Sequence, residues 1–245
     1  MKKVFITGAI KSIGFETARQ LLQKGYYVYV GSRNIDNGLE AVRKLRAEGF
    51  KEAEAIQIDV SDAEAGKAAR AEIGKKTDVL DVLINNSGIS GGRPQAALDL
   101  DVAVMNSVFN VNVYGVVRVT QAFIDLLKKS PEPHIVNVSS SQGSLTMASD
   151  PASKYYNFKG AMYQPSKAAL NMYTIILAYE LRDTPCKVNA VDPGFTATDF
   201  NQHRGTGTVM EAGARVVKYA ILGADGPTGK YISEEINPET GEIPW

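Results

Sequence analysis

The chain has few of the residues that build disulfide frameworks, metal centres or nucleic-acid surfaces. Cys186 is its only cysteine in 245 residues. No internal disulfide can form, which points to a reducing compartment. The two histidines, His134 and His203, lie far apart and lack ligand spacing, so no metal site is expected. Neither sign of charge dominates: 27 basic residues face 27 acidic ones, which argues against a nucleic-acid partner. No uninterrupted apolar run approaches the roughly eighteen residues of a membrane span. Met1-Lys2-Lys3 leads into only three strong apolar residues before Thr7-Gly8, unlike a signal peptide. There is no proline- or serine-rich linker and no low-complexity tract. The expectation is a soluble, cytoplasmic protein with a small-molecule partner and neither membrane nor nucleic acid.

What remains is ample for one large core, since 44% of the residues are apolar. Short apolar runs fall at 4–6, 27–30, 55–58, 80–84, 135–138 and 188–191. Most are continuous, as in parallel strands covered on both faces. Between them lie helical patterns. Val108, Val111, Gly115, Val119 and Ala122 share one face, and so do Leu170, Tyr173, Leu177 and Leu181. Six strand–helix alternations predict an α/β fold of the Rossmann type: a doubly wound parallel sheet in a three-layer αβα arrangement. A single domain is expected over 1–245, with a cofactor half at about 1–130 and a catalytic and substrate half at about 131–245. The sharpest irregularity is 144–162, rich in polar residues, proline and tyrosine. The tail from Gly223 is turn-rich.

The first run leads directly into Thr7-Gly8-Ala9-Ile10-Lys11-Ser12-Ile13-Gly14. A turn that follows a strand and opens a helix can bind a pyrophosphate on free backbone N–H groups, helped by the helix dipole. Gly8 and Gly14 suit the tight turn and the close approach. Ser12 stands where a second glycine would be expected. It fits without strain if its backbone avoids the left-handed region, and otherwise at about 1 kcal/mol.

Four more stretches accompany this turn: Asn85-Asn86-Ser87-Gly88, Asn110-Val111-Asn112-Val113-Tyr114-Gly115, the run from Ile135 to Gly143, and Tyr163-Gln164-Pro165-Ser166-Lys167. In this order, with Val191-Asp192-Pro193-Gly194 after the sixth strand, the chain resembles the classical short-chain dehydrogenase/reductases over nearly its whole length. The first turn, taken with Gly31-Ser32-Arg33-Asn34, is most similar to the NADPH-dependent carbonyl reductase branch. Ser12 replaces the family's middle glycine and Ser87 the alanine of its usual Asn-Asn-Ala-Gly.

The resemblance implies a catalytic set of Asn112, Ser140, Tyr163 and Lys167. Tyr163 and Lys167, four apart, share a helix face. An ammonium beside a phenol lowers its pKa toward working pH, so Tyr163 can exchange a proton with a substrate oxygen. Ser140 would hold the substrate carbonyl. Asn112 would steady Lys167 through a water, with Asn110 pointing elsewhere. For the cofactor, Ser32 takes the place of the aspartate of NAD-dependent relatives. Arg33 and Lys11 would meet the 2′-phosphate of NADPH, although Asp36 offers Arg33 an ion pair instead. Gly8, Lys11, Ser12, Ile13 and Gly14 would line the pyrophosphate, Asp59 and Val60 the adenine, and Asn86 and Gly88 the adenosine. Pro193, Gly194 and Thr196 would lie against the nicotinamide, with Tyr163 and Lys167 also on the cofactor. NADH is the less favoured cofactor, and no metal is implied.

The implied reaction is reduction of a ketone or aldehyde with NADPH. Rival readings are an NADP-dependent alcohol or steroid dehydrogenase running oxidatively, an enoyl reductase, and a non-catalytic NADP(H) sensor. About two dozen residues separate Ser140 from Tyr163, so the insertion at 144–162 is expected to wall the substrate site. A mobile lid is expected at 201–208. Candidate lining residues are Met147, Tyr155, Phe158, Phe195 and Phe200. The resemblance also implies dimers or tetramers through two long helices, here about 103–128 and 163–182, or a monomer where an insertion covers that surface.

Overall fold

The period-2 pattern of the first strand decides what lies on each side of the sheet. Val4 and Ile6 point to one face and Phe5 to the other, and all three are fully buried. The computed structural model describes residues 1–245. In chain order the elements are β1 (Lys3–Ile6), α1 (Ser12–Gln23), β2 (Tyr27–Ser32), α2 (Ile35–Ala47), β3 (Ala53–Gln57), α3 (Ala65–Gly74) and β4 (Val82–Asn85). Then come α4 (Val102–Phe109), a π-helical turn (Asn110–Tyr114), α5 (Gly115–Leu127), β5 (His134–Val138), α6 (Leu145–Ser149) and α7 (Tyr163–Glu180). β6 (Lys187–Val191), α8 (Val209–Ala220) and β7 (Lys230–Ile232) complete the chain.

The sheet order is β3-β2-β1-β4-β5-β6-β7, and every pair of neighbours is parallel. α1, α2 and α8 cover one face, where Leu21, Leu45 and Val216 meet Val4, Val28 and Ile84. α3, α5 and α7 cover the other, where Ile73, Phe123 and Leu177 meet Phe5, Leu83 and Val188. Phe5 and Phe123 pack with their rings tilted and their centroids 4.7 Å apart. This is the three-layer, doubly wound fold that the alternation predicts. Strand order reverses between β1 and β4, so a crevice opens beyond their C-terminal ends, where ligands bind in such sheets.

A buried polar ladder locks those ends together. Asn85 Nδ2 donates to Asn137 Oδ1 at 2.9 Å and to Thr120 Oγ1 at 3.2 Å. Asn137 Nδ2 donates to Thr174 Oγ1 at 2.9 Å. β4, β5, α5 and α7 are thus fixed to one another just below the crevice.

Three expectations are corrected. The sheet has seven strands, not six; β7 has only three residues and lies in the turn-rich tail, so it gives no apolar run. The helix expected at 103–128 is broken by the π turn, which shifts its periodic face. Val111 and Ala122, expected on the buried face, are only partly buried, while Asn112 and Val116 turn inward. Finally, one helical stretch, Val102–Leu127, is long and apolar enough to cross a membrane, with mean hydropathy 1.3. Asn106, Asn110 and Arg118 interrupt it, so no continuous run shows in the sequence. Its apolarity is partly used in packing Val119, Phe123, Leu126 and Leu127 against the sheet.

Candidate active site

The turn after β1 has no room for larger residues. Gly8 has φ +65°. A Cβ at Gly14 would lie 2.5 Å from both the Asn86 side-chain nitrogen and the Gly8 carbonyl. Asn86 Nδ2 donates to the carbonyls of Thr7 and Gly8, each at 3.0 Å. Asn86 therefore braces the turn rather than facing the groove. Ser12 has φ +50°, so the strained alternative holds. No acidic side chain occupies the first turn of α1, and its N-cap, Lys11, makes no capping bond. The amides of Ser12, Ile13 and Gly14 have no acceptor in the chain. A cradle that glycine keeps open, with three free N–H groups at a helix start, fits a pyrophosphate.

The second strand supplies the discriminating end. Ser32 is buried and its hydroxyl donates to Asn34 O at 2.6 Å. Arg33 is exposed. Its charge lies toward Asp59 rather than in a bridge to Asp36. Burial opposes the Asp59 charge, but Ser61 and Arg33 prevail and its pKa falls. Lys11 departs from expectation. Its ammonium pairs with Asp199 at 2.7 Å, across the groove. Val60 packs on Gly115, and its carbonyl accepts from Arg118 at 3.3 Å.

The catalytic candidates converge where β4, β5 and β6 end. α7 begins at Tyr163, so Lys167 lies one turn on, with Nζ 5.6 Å from the Tyr163 ring centre. Lys167 is buried and donates to Val138 O at 2.8 Å. Ser140 lies just beyond β5, and its hydroxyl faces the Tyr163 phenol. Gly88 lies between Asn112 and Lys167, since a Cβ there would meet Asn112 Oδ1 at 3.4 Å and Lys167 Nζ at 3.9 Å. Asn112 is held by Ile89: its Oδ1 accepts from Ile89 N at 2.9 Å and its Nδ2 donates to Ile89 O at 2.9 Å. It also donates to Ser166 Oγ at 3.0 Å. It does not bond Lys167. The π turn is what aims it there, as such turns commonly do at functional sites. Asn110 bonds Arg118 and Ser61, away from the site.

The electrostatics correct one expectation. Burial raises the Tyr163 pKa and so does the Asp192 charge, with the Ser140 hydroxyl opposing them. Burial also lowers the Lys167 ammonium, to about 8. Burial thus favours the neutral phenol.

The substrate side is tied by long-range contacts. Glu235, in the tail, accepts from Tyr155 OH at 2.7 Å, Lys154 Nζ at 2.9 Å and Phe195 N at 2.5 Å. One carboxylate thus joins the tail, the insertion and the loop after β6. Pro193 O accepts from Arg215 at 2.7 Å, and buried Thr196 donates to Gly194 O at 3.1 Å. The segment expected as a lid is laced to the loop after β6: Thr206 N and Gly207 N donate to Phe195 O, and Asn201 Nδ2 donates to Thr196 O. Among the five lining candidates, Phe200 reaches Tyr163, with ring centres 5.4 Å apart. Tyr155 and Phe158 pack edge-on, 6.2 Å apart, and Met147 joins the cluster of Tyr231 and Ile243. Sequence reasoning missed three residues: Asp192, Tyr231 and Glu235. Tyr231 OH donates to Ser140 O, so the overlooked β7 braces Ser140.

Comparison with known proteins agrees with this geometry. The short chain dehydrogenase family model matches residues 2–208. The chain is 32% identical to (-)-isopiperitenone reductase of Mentha piperita, with 94% of this chain and 95% of that protein covered. It is 31% identical to salutaridine reductase of Papaver bracteatum, over 94% and 93%. An NADPH-bound carbonyl reductase from chicken fatty liver superposes with a TM-score of 0.86 at 26% identity, covering 100% and 99%. The chain belongs to the short-chain dehydrogenase family and is an oxidoreductase acting on carbonyl or alcohol groups.

Proposed function

We propose that the protein reduces a ketone or aldehyde with NADPH, with Tyr163 as proton donor. The observation that carries this reading is the meeting of Tyr163, Ser140 and Lys167 at the sheet edge beside the open glycine turn. The amides of Ser12, Ile13 and Gly14 would hold the pyrophosphate, and Arg33 the 2′-phosphate. Lys11 would join Arg33 only by leaving Asp199. Asp59 and Val60 would border the adenine, Gly88 the adenosine, and Pro193, Gly194 and Thr196 the nicotinamide. The chicken reductase carries NADPH, which supports the choice of cofactor.

When bound, NADPH supplies a hydride to the carbonyl carbon. Ser140 Oγ holds the substrate oxygen in place. Tyr163 OH gives that oxygen its proton, completing the alcohol. The raised phenol pKa keeps Tyr163 protonated, the form in which it can donate. Lys167, while charged, stabilises the phenolate left behind. Phe200 beside Tyr163 suits a neutral, apolar carbonyl compound.

Met172, Ile176 and Tyr179 leave an exposed apolar stripe along α7. Homo-oligomer formation through that face is part of the same reading, and sedimentation measures it.

The test is NADPH consumption in the presence of p-nitrobenzaldehyde, menthone and related neutral carbonyls. We expect carbonyl-dependent turnover that falls as pH rises through about 8, where Lys167 loses its proton. Tight NADPH binding without turnover on any carbonyl would favour the sensor reading.

A further inference from the structure

The helix that carries Tyr163 begins without a cap of its own. Tyr163 is the first residue of α7, Met162 before it makes no side-chain capping bond, and Pro165 in the first turn has no N–H to give. The first amides of a helix find no partner within it and need one from elsewhere. For Tyr163 that partner comes from the loop after β4, 68 residues earlier: Gln95 Oε1 accepts from Tyr163 N at 3.4 Å.

Gln95 is half-buried, and both polar atoms of its side chain are engaged. Its Nε2 donates to Ser90 O at 2.8 Å and to Gly92 O at 2.7 Å. Its backbone carbonyl accepts from Ala161 N at 2.9 Å, just ahead of the helix. Gly160 leaves the space for it, since a Cβ there would lie 2.6 Å from Gln95 Oε1.

A second route leads from Tyr163 back to the same loop. Ser166 Oγ donates to Tyr163 O at 2.7 Å and accepts from Asn112 Nδ2 at 3.0 Å. Asn112 in turn exchanges two bonds with the backbone of Ile89. Ile89 and Ser90 are neighbours in the chain, so the contacts close into a ring. Tyr163 is held in it by both backbone groups: its N–H by Gln95 and its carbonyl by Ser166.

We propose that Gln95 is a positioning residue: it caps α7 from the loop after β4 and so fixes where the Tyr163 phenol stands beside Ser140. This rests on the reading of Tyr163 as proton donor given above. A proton donor must lie within hydrogen-bond reach of the oxygen it serves, and a misplacement of about 1 Å caused away from the reacting atoms costs about a hundredfold in rate. Lys167 lies one turn further on and is anchored separately, on Val138 O. Loss of Gln95 therefore loosens the end of the helix that bears the phenol.

Two variants test this by different means. Gln95→Met keeps the length of the side chain and removes its three hydrogen bonds. Gly160→Ala leaves Gln95 in place but pushes its oxygen away from Tyr163 N, which guards against one variant failing to fold. In full-length protein carrying 3-fluorotyrosine, the Tyr163 fluorine signal is assigned by its loss in Tyr163→Phe. Both variants should shift or broaden that signal with no ligand present. With p-nitrobenzaldehyde and NADPH, both should lower kcat about ten- to a hundredfold, while KM and NADPH affinity stay close to wild type. Gln164→Met is the control. It breaks bonds to Phe158 O and Gly160 N at the same helix start and none to Tyr163, so signal and kcat should both hold. An unmoved Tyr163 signal in the two test variants overturns the proposal, and so does a moved signal with unchanged kcat. An equal effect in Gln164→Met overturns it as well, since general loosening of the helix start would then be at work. The fluorine signal needs no substrate, so failure of the Gln95 contact is distinct from failure of the reductase reading.

Discussion

The two ends of the active-site crevice are held together in different ways. At the cofactor end the bracing residues lie within two short motifs. Gly8, Gly14 and Asn86 fit against one another with no space for a Cβ, and backbone carbonyls take the bonds. At the substrate end one side chain, Glu235, ties its own tail to two segments that are 40 and 80 residues away in sequence. The cofactor end tolerates change only where a backbone angle or an exposed charge is involved, whereas the substrate end hangs on single side-chain clasps. Cofactor binding and substrate choice should therefore separate under mutation.

The largest expected effect lies between the two ends. Tyr163→Phe removes the proposed proton donor and should lower turnover about a hundred- to ten-thousand-fold. NADPH binding, read by fluorescence, should change little. Retention of full turnover would remove Tyr163 from the reaction. Arg33→Ala should weaken NADPH about ten- to a hundredfold, as loss of a charge-assisted contact does. NADH binding should hold steady, and an unaltered preference for NADPH would exclude Arg33 from the phosphate site.

At the other end, Glu235→Ala leaves Phe195 N and Tyr155 OH without their acceptor. A stability loss of about 1–3 kcal/mol should follow, together with a KM that rises more for bulky ketones than for small aldehydes. Equal change in NADPH affinity and in KM would contradict the separation of the two ends. The smallest effect is a gain. Ser12→Gly relieves the positive φ and should raise stability by about 1 kcal/mol, measured by thermal unfolding, with NADPH affinity kept or improved. A loss of affinity would show that the Ser12 hydroxyl itself binds phosphate.

The same contrast explains what could be read from the sequence. Strands β1 to β6 appear as apolar runs because both faces of a parallel sheet are covered. The glycine turn and the Tyr163–Lys167 pair are local patterns. β7 was not legible, because its three residues are held by neighbours and not by their own pattern. The π turn at Asn112 adds one residue to a helical repeat, which periodicity alone does not register. Glu235 has no local signal at all, since its partners meet it only after folding. Asp192 did carry one, a charge directly after the buried run of β6, though its bonds to Gly194 and Ser233 form only in the fold. Lys11 shows the reverse case: its place in the motif is clear, but its ion pair with Asp199 arises from a loop 188 residues away.

The central claim is that the strained turn still holds a dinucleotide and that Arg33 selects the phosphorylated one. Equilibrium fluorescence titration of the wild-type protein with NADPH and with NADH tests it most directly. The account predicts NADPH binding at least about tenfold tighter than NADH. Equal binding of the two would contradict the role given to Arg33, and binding of neither would contradict the cradle built by Gly8, Ser12 and Gly14.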